Sequence, residues 1–106
     1  MRVASLDDMV GGWFVGDFEP SALRSAQAEV AVKRFSAGDF EPAHFHKVAT
    51  ELTVIVSGEA ELAGRRLVTG DIVVLEPGEV ADFRAVTDVV LVAVKLPAAR
   101  DDKYEA

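Results

Sequence analysis

The sequence predicts an all-β protein, built as an antiparallel barrel or sandwich. Short apolar segments alternate with turns rich in Gly, Pro and Asp along most of the chain, which is the pattern of such folds. Strand follows strand too closely for a parallel sheet, whose crossovers need a dozen or more residues. The 106 residues, of which 50% are hydrophobic, suit one small domain with a single core.

The first part of the chain predicts little regular structure. Ser5 and Asp8 resemble a capping box, and the pair of glycines that follows would end the helical turn that they begin. Residues 13–15 are expected to form a short strand. Residues 20–26 are ambiguous, with a loop or a single turn as the prediction.

Two strands are predicted on either side of a loop that precedes the histidines. Residues 29–35 alternate in polarity and predict a strand. Residues 36–43 contain a Gly-Asp turn and Pro42, which together indicate a loop. Residues 44–47 are expected to form a short strand.

The second half of the chain is predicted to consist of strands joined by tight turns. Residues 51–57 give the strongest strand signal, because apolar and β-branched residues follow one another until Gly58. Ala63 and Gly64 would form the turn of a hairpin. The other strands predicted in this half are 59–62, 65–68, 72–75, 82–85 and 89–95.

Composition excludes several classes of function. The absence of cysteine excludes disulfides and thiolate metal sites. A formal net charge of −7 argues against nucleic acid as a partner, because binding to phosphates depends on Lys and Arg. No apolar run is long enough to cross a bilayer, and acidic residues stand where a signal peptide would be apolar. We therefore expect a cytoplasmic protein with no membrane partner.

The only two histidines of the chain predict a metal site. His44 and His46 are two residues apart, and residues i and i+2 of a strand point to the same face. Glu51 begins the next predicted strand and can reach the same point if the two strands pair. Two imidazoles and one carboxylate suit a divalent first-row metal ion, with Fe, Mn, Ni, Zn and Cu all left open.

The spacing of these residues resembles the first sequence motif of the cupin superfamily. Five residues separate Gly38 from His44, one separates the histidines, four lie between His46 and Glu51, and six lie between Glu51 and Gly58. Residues 70–78 are similar to the second cupin motif, so the resemblance extends from about residue 29 to residue 95. It implies a cupin-type antiparallel β-barrel, or jelly roll.

The second motif departs from the family pattern at the position of its histidine. Ala81 stands where cupins usually have a third histidine ligand, and Glu76 replaces a usual proline. Asp82 would supply a fourth ligand only if its strand were shifted by one residue, because simple alternation points it away. The resemblance therefore carries three ligands over to this chain: His44, His46 and Glu51.

The predicted domain organisation is a single cupin domain. It comprises an N-terminal arm (1–27), a barrel core (28–95) and a charged C-terminal tail (96–106), which we expect to fray together with Tyr104. Small barrels commonly cover apolar edge strands by pairing, so a homodimer is expected. By alternation Lys33 and Phe35 flank the site, but we expect Lys33 to be ordinary surface charge and Phe35 to be part of the core.

The resemblance implies an open 2-His-1-Glu metal site that acts on or binds a small molecule. Dioxygenase, isomerase and lyase chemistry all fit such a site, and no separate catalytic residue is assigned. The alternative is a non-catalytic or metal-free cupin module that binds a small molecule or a carbohydrate. A metal-free enzyme would use a histidine as acid or base.

Overall fold

The computed structural model describes all 106 residues and contains eleven strands. The only helical segment is a 3₁₀ turn at Leu6–Asp8, and no helix could span a lipid bilayer. In chain order the strands are β1 (Trp13–Gly16), β2 (Leu23–Arg24), β3 (Glu29–Phe35), β4 (Phe40–Phe45), β5 (Thr50–Ser57), β6 (Glu59–Leu62), β7 (Arg65–Val68), β8 (Ile72–Leu75), β9 (Ala81–Ala85), β10 (Val89–Leu96) and β11 (Tyr104–Glu105).

The strands form two sheets around one core, which confirms the all-β jelly roll predicted from the sequence. One sheet has the order β2-β1-β3-β10-β5-β8, and the other has the order β11-β4-β9-β6-β7. Every pairing is antiparallel except the short one between β1 and β2. The buried core comprises Ile55, Ala60, Leu67, Phe83, Ala85, Val89, Leu91 and Ala93.

The inward-facing residues of β10 change from apolar to charged along the strand. Val89, Leu91 and Ala93 are buried, and the next residue of the inward series is Lys95. Lys95 lies opposite Glu29 on one neighbouring strand and opposite Glu51 on the other. The interior of the barrel is therefore apolar near the start of β10, whereas a row of charged groups lies near the end of this strand.

Glycine turns set the path between strands. Gly58 has φ +97°, and a Cβ there would lie 2.1 Å from the main-chain oxygen of Asp88, so a larger residue has no room. Ala63 and Gly64 both have positive φ, 50° and 75°, as a two-residue hairpin turn requires. The predicted hairpin and the turn after β5 are both confirmed.

The predicted loop at 36–43 is partly wrong, because β4 begins at Phe40 and includes Pro42. The pairing of β4 with β9 shifts register between Glu41 and His44, and such a bulge accommodates a residue that has no N–H to donate. His46 lies just beyond the strand end, so the predicted strand at 44–47 is also displaced.

The arm and the tail differ from expectation as well. The side chain of Ser5 makes no capping hydrogen bond, and residues 20–26 contain strand β2. The C-terminal tail does not fray: β11 pairs with β4, and Tyr104 stacks on Phe45 with 5.5 Å between ring centroids. Asp102 is only 7% exposed. The tail is therefore part of the barrel.

Candidate metal centre

The three predicted ligands lie at the charged end of the barrel. His44 stands near the end of β4, His46 follows that strand, and Glu51 is the second residue of β5. His46 Nε2 is 2.9 Å from Glu51 Oε2, and the two imidazole rings are nearly perpendicular with 5.5 Å between centroids. His46 is 6% exposed.

His46 is held in one tautomer when it is neutral. Its Nδ1 is hydrogen-bonded to the main-chain oxygen of Asp102, which can only accept, so Nδ1 carries the hydrogen. Nε2 is then a buried atom without a hydrogen-bond partner, because the nearby carboxylate is not in hydrogen-bonding geometry. A buried nitrogen lone pair 2.9 Å from a carboxylate oxygen calls for a positive charge, supplied by a proton or by a metal ion.

His44 is oriented in the same way. Its Nδ1–H donates to the main-chain oxygen of Pro42 over 3.0 Å, which leaves the lone pair of Nε2 free. Metal-binding histidines almost always donate their second ring N–H to a carbonyl, carboxylate or water. Both histidines of this chain therefore have the hydrogen bonding expected of ligands.

The structure brings these residues near one another without assembling a complete ligand group. No cluster of three or more His, Cys, Asp or Glu side chains is close enough to hold a metal ion. The close pair is His46 and Glu51, and His44 lies beside it. Ala81 lies opposite His44 on β9, so the position of the usual third histidine faces the site but offers no donor.

Asp82 does not join this group. The buried positions of β9 are Ala81, Phe83 and Ala85, so Asp82 falls on the alternate positions as simple alternation predicts. It still contributes to the wall of a small cavity next to His44 and Glu51. It forms no ligand cluster with them.

That cavity is the interior space nearest the candidate ligands. Its volume of about 40 Å³ is little more than the roughly 30 Å³ that one water molecule occupies in the liquid. A wider groove of about 480 Å³ lies next to it and shares Lys33, Phe35 and Glu41, but neither histidine lines this groove. The cavity lining is Lys33, Phe35, Glu41, His44, Glu51, Thr53, Leu62, Leu75, Ala81, Asp82, Phe83, Leu91 and Ala93.

The surroundings of His46 and Glu51 favour the charged forms of both side chains, an imidazolium and a carboxylate. The contact with Glu51 raises the pKa of His46, and burial opposes this rise. Burial would raise the pKa of Glu51, but His46 and the charge of Lys95 outweigh it, so that pKa is lowered. Burial lowers the pKa of Lys95, against the opposing influence of Glu51 and Glu29.

Lys95 was not predicted as a site residue. It makes no ion pair within 4 Å, and its Nζ lies 4.7 Å from the centroid of the Trp13 ring. The available signal was the alternation that continues from Val89, Leu91 and Ala93 to an inward lysine. A single strand read alone does not show which carboxylates lie opposite it.

Asp102 was also not predicted, and it supports His46 from the tail. Its carboxylate accepts the main-chain N–H groups of Lys47, Val48 and Ala49 over 2.9 to 3.1 Å, and its main-chain oxygen holds the His46 ring. These partners are 53 to 56 residues away in sequence, so no local pattern could identify them.

Comparisons with known proteins bear on the fold. No known family profile matches the chain, and no curated protein matches it in sequence. Among solved structures, a conserved Klebsiella pneumoniae protein with a double-stranded β-helix domain is similar over 99% of this chain and 91% of its own, with 24% identity and TM-score 0.74.

Two further solved structures agree with this. A Shewanella frigidimarina RmlC-like cupin has 22% identity and TM-score 0.66 over 74% of this chain and 73% of its own. A Silicibacter pomeroyi sugar phosphate isomerase of the cupin superfamily has 20% identity and TM-score 0.63 over 68% of this chain and 52% of its own. At these identities the likeness shows the fold alone: the chain has the double-stranded β-helix fold of these cupin structures.

Proposed function

We propose that this small cupin binds a divalent metal ion through Nε2 of His44, Nε2 of His46 and the carboxylate of Glu51, and that it binds or converts a small molecule there. The observation that carries the proposal is the buried Nε2 of His46, which faces Glu51 at 2.9 Å without a hydrogen bond. A cation in contact with both atoms would satisfy them.

The donor set fits a first-row divalent ion. Both histidines keep Nδ1 protonated toward main-chain oxygens and so offer Nε2. Three protein ligands leave positions open for a small molecule, and such an ion supplies Lewis-acid or O₂ chemistry when bound. Dioxygenase, isomerase and lyase reactions remain the candidate classes. The isomerase described for the Silicibacter neighbour is one example of small-molecule chemistry on this fold.

Lys95 favours a substrate with an anionic oxygen. It lies opposite Glu51, and a cation on that carboxylate would leave Glu29 as the main opposing charge for the ammonium. Lys95 also lines a groove of about 330 Å³ together with Trp13 and Phe18. The small cavity would then admit only the reacting part of the substrate, with the rest bound in the adjoining groove of about 480 Å³.

A second candidate is a metal-free pocket. It is favoured by the lack of a three-donor cluster and by Ala81 in place of a histidine. In that case His46 and Glu51 form an imidazolium–carboxylate pair that binds a ligand or acts as an acid–base pair. The protein would then be a metal-free enzyme or a carbohydrate-binding module.

Metal binding tests the first proposal. Chelator-treated protein is titrated with Mn²⁺, Co²⁺, Ni²⁺ and Zn²⁺ by calorimetry, and the purified protein is analysed for bound elements. We expect one ion per chain, and His46→Ala and Glu51→Gln should weaken binding at least 10-fold. Glu41→Gln is the matched control, because this carboxylate lines the same cavity but pairs with Lys33.

A gain-of-ligand variant extends the same titration. Ala81→His places an imidazole opposite His44, at the position that completes the usual cupin set, and should tighten binding. Wild-type protein that binds none of the four ions would contradict the metal proposal and favour the metal-free pocket. Full affinity in Glu51→Gln would show that the ligands are assigned wrongly.

A further inference from the structure

Lys33 extends from the inner face of β3, among residues of the core. It stands between Ala31 and Phe35 on the inward positions of this strand, and it lies opposite the buried Leu91 of β10. Its side chain is 25% exposed, and its ion-pair partner is Glu41, with 3.5 Å between Nζ and Oε1. An ammonium group in such apolar surroundings has lost part of its hydration, so a close anionic partner stabilises it.

Lys33 and Glu41 stand at the junction between the small cavity and the groove of about 480 Å³. Together with Phe35 they line both spaces, whereas His44 and Glu51 line the cavity but not the groove. A ligand that reaches from the candidate metal ligands into the groove therefore passes this ion pair. An anionic group at the junction can take the place of the Glu41 carboxylate beside the ammonium.

The groove offers an apolar surface and few hydrogen bonds. Apart from the pair at the junction, its charged side chains are Asp7 and Arg34, which are exposed and lie 3.6 Å from each other. No Ser, Thr, Asn, Gln, Tyr or His lines the groove, and two glycines contribute no side chain. The hydroxyl groups of a sugar would find few partners here. The apolar lining is Leu6, Met9, Trp13, Val32 and Phe35.

Positive charge is concentrated around Trp13. The ammonium nitrogens of Lys33 and Lys95 lie 5.3 Å and 4.7 Å from the centroid of its ring. Lys95 lines neither the cavity nor the groove. It therefore adds to the local positive potential, whereas Lys33 can contact a ligand at the junction directly.

We propose that the substrate of this site is a small organic acid with an apolar body, whose anionic group binds Lys33 while the body occupies the groove. This inference rests on the proposed function, because it assumes that the reacting end enters the cavity beside His44 and Glu51. Charge complementarity at the junction and the apolar lining beyond it support this class of ligand. The groove volume of about 480 Å³ lies within the range of small-molecule sites.

The single tryptophan of the chain provides the test, because Trp13 gives the only indole N–H signal. In ¹H–¹⁵N spectra of chelator-treated protein, hexanoate and phenylacetate should shift this signal until it saturates. Hexanamide and phenylacetamide keep the body without the charge, and glucuronate keeps the charge without an apolar body. Each of these three should bind about 10-fold more weakly than the apolar acids, or worse. This comparison needs no variant protein.

Variants at the junction identify the group that binds the acid. Lys33→Gln should weaken acid binding about 10-fold, to the level of the amides. Glu41→Gln should tighten it, because the competing carboxylate is removed. Arg34→Gln is the matched control, since this exposed arginine lines the same groove but pairs with Asp7.

Three results would overturn the proposal: an indole signal that no acid moves at millimolar concentration, equal binding of acids and amides, or equal losses in Lys33→Gln and Arg34→Gln. The metal titration has a separate outcome, because these spectra are recorded without metal. Acid binding without metal binding would support this inference and favour the metal-free pocket. Metal binding without acid binding would overturn this inference alone.

Discussion

The ring of His46 is positioned from two directions. Its Nδ1 is bonded to the main chain at Asp102, and its Nε2 faces Glu51 inside the barrel. The sequence could predict His46 and Glu51 from their spacing, but the expected pairing of their strands is wrong, because β4 and β5 belong to different sheets. It could not predict Asp102 or the exact approach of His44, because these depend on the register of a tail that returns from the far end of the chain.

The charge pair of His46 and Glu51 predicts that the stability of the metal-free protein depends on pH. The pKa of His46 is raised above 6.5, so its contribution to stability is present below about pH 6.5 and is lost as pH rises through the raised pKa. The pKa of Glu51 is lowered below 4.5, so its contribution is present above about pH 4.5 and is lost as pH falls through the lowered pKa.

The pair should therefore stabilise the metal-free protein most between about pH 4.5 and 6.5. Urea unfolding from pH 4 to 9 measures this for wild type and for Glu51→Gln, in which the dependence near neutral pH should flatten. A wild-type profile that matches Glu51→Gln across this range would show that the pair contributes nothing to stability.

Among the elements, the C-terminal tail departs most from expectation. Its charged composition predicted fraying, yet β11 pairs with β4 and Asp102 accepts three main-chain N–H groups. The strands at 29–35 and 72–75 and the hairpin around Ala63 were predictable, since alternation and turn residues are local signals. Pro42 within β4 was not, because only the bulge in the paired strands makes room for it.

Asp102→Asn should destabilise the protein by about 2–3 kcal/mol, because a neutral amide replaces a carboxylate that satisfies three main-chain donors. The measurement is the free energy of unfolding in urea. Asp101→Asn is the control, since Asp101 is exposed and its φ of 53° suits Asn. Equal stability of the two variants would mean that the tail anchors nothing.

For the whole molecule, the barrel could be predicted from the sequence, but the positions of its charged and aliphatic surfaces could not. Barrel class followed from the succession of short strands and glycine turns. Two features arise from how the four strands β3, β10, β5 and β8 align: the charged row of Glu29, Lys95 and Glu51, and the aliphatic rows on the opposite side of the same sheet. The sequence alone predicts which residues of a strand point to each face of the sheet, but it does not show which strands lie side by side.

The most direct test of the metal proposal is the nuclear magnetic resonance of the two histidine side chains. Because the chain has only two histidines, long-range ¹H–¹⁵N spectra report each ring nitrogen separately. Addition of one equivalent of Zn²⁺ should shift the Nε2 resonances of His44 and His46 while both Nδ1 atoms stay protonated. Nε2 resonances that do not move in excess Zn²⁺ would contradict the proposal that these residues bind a metal ion.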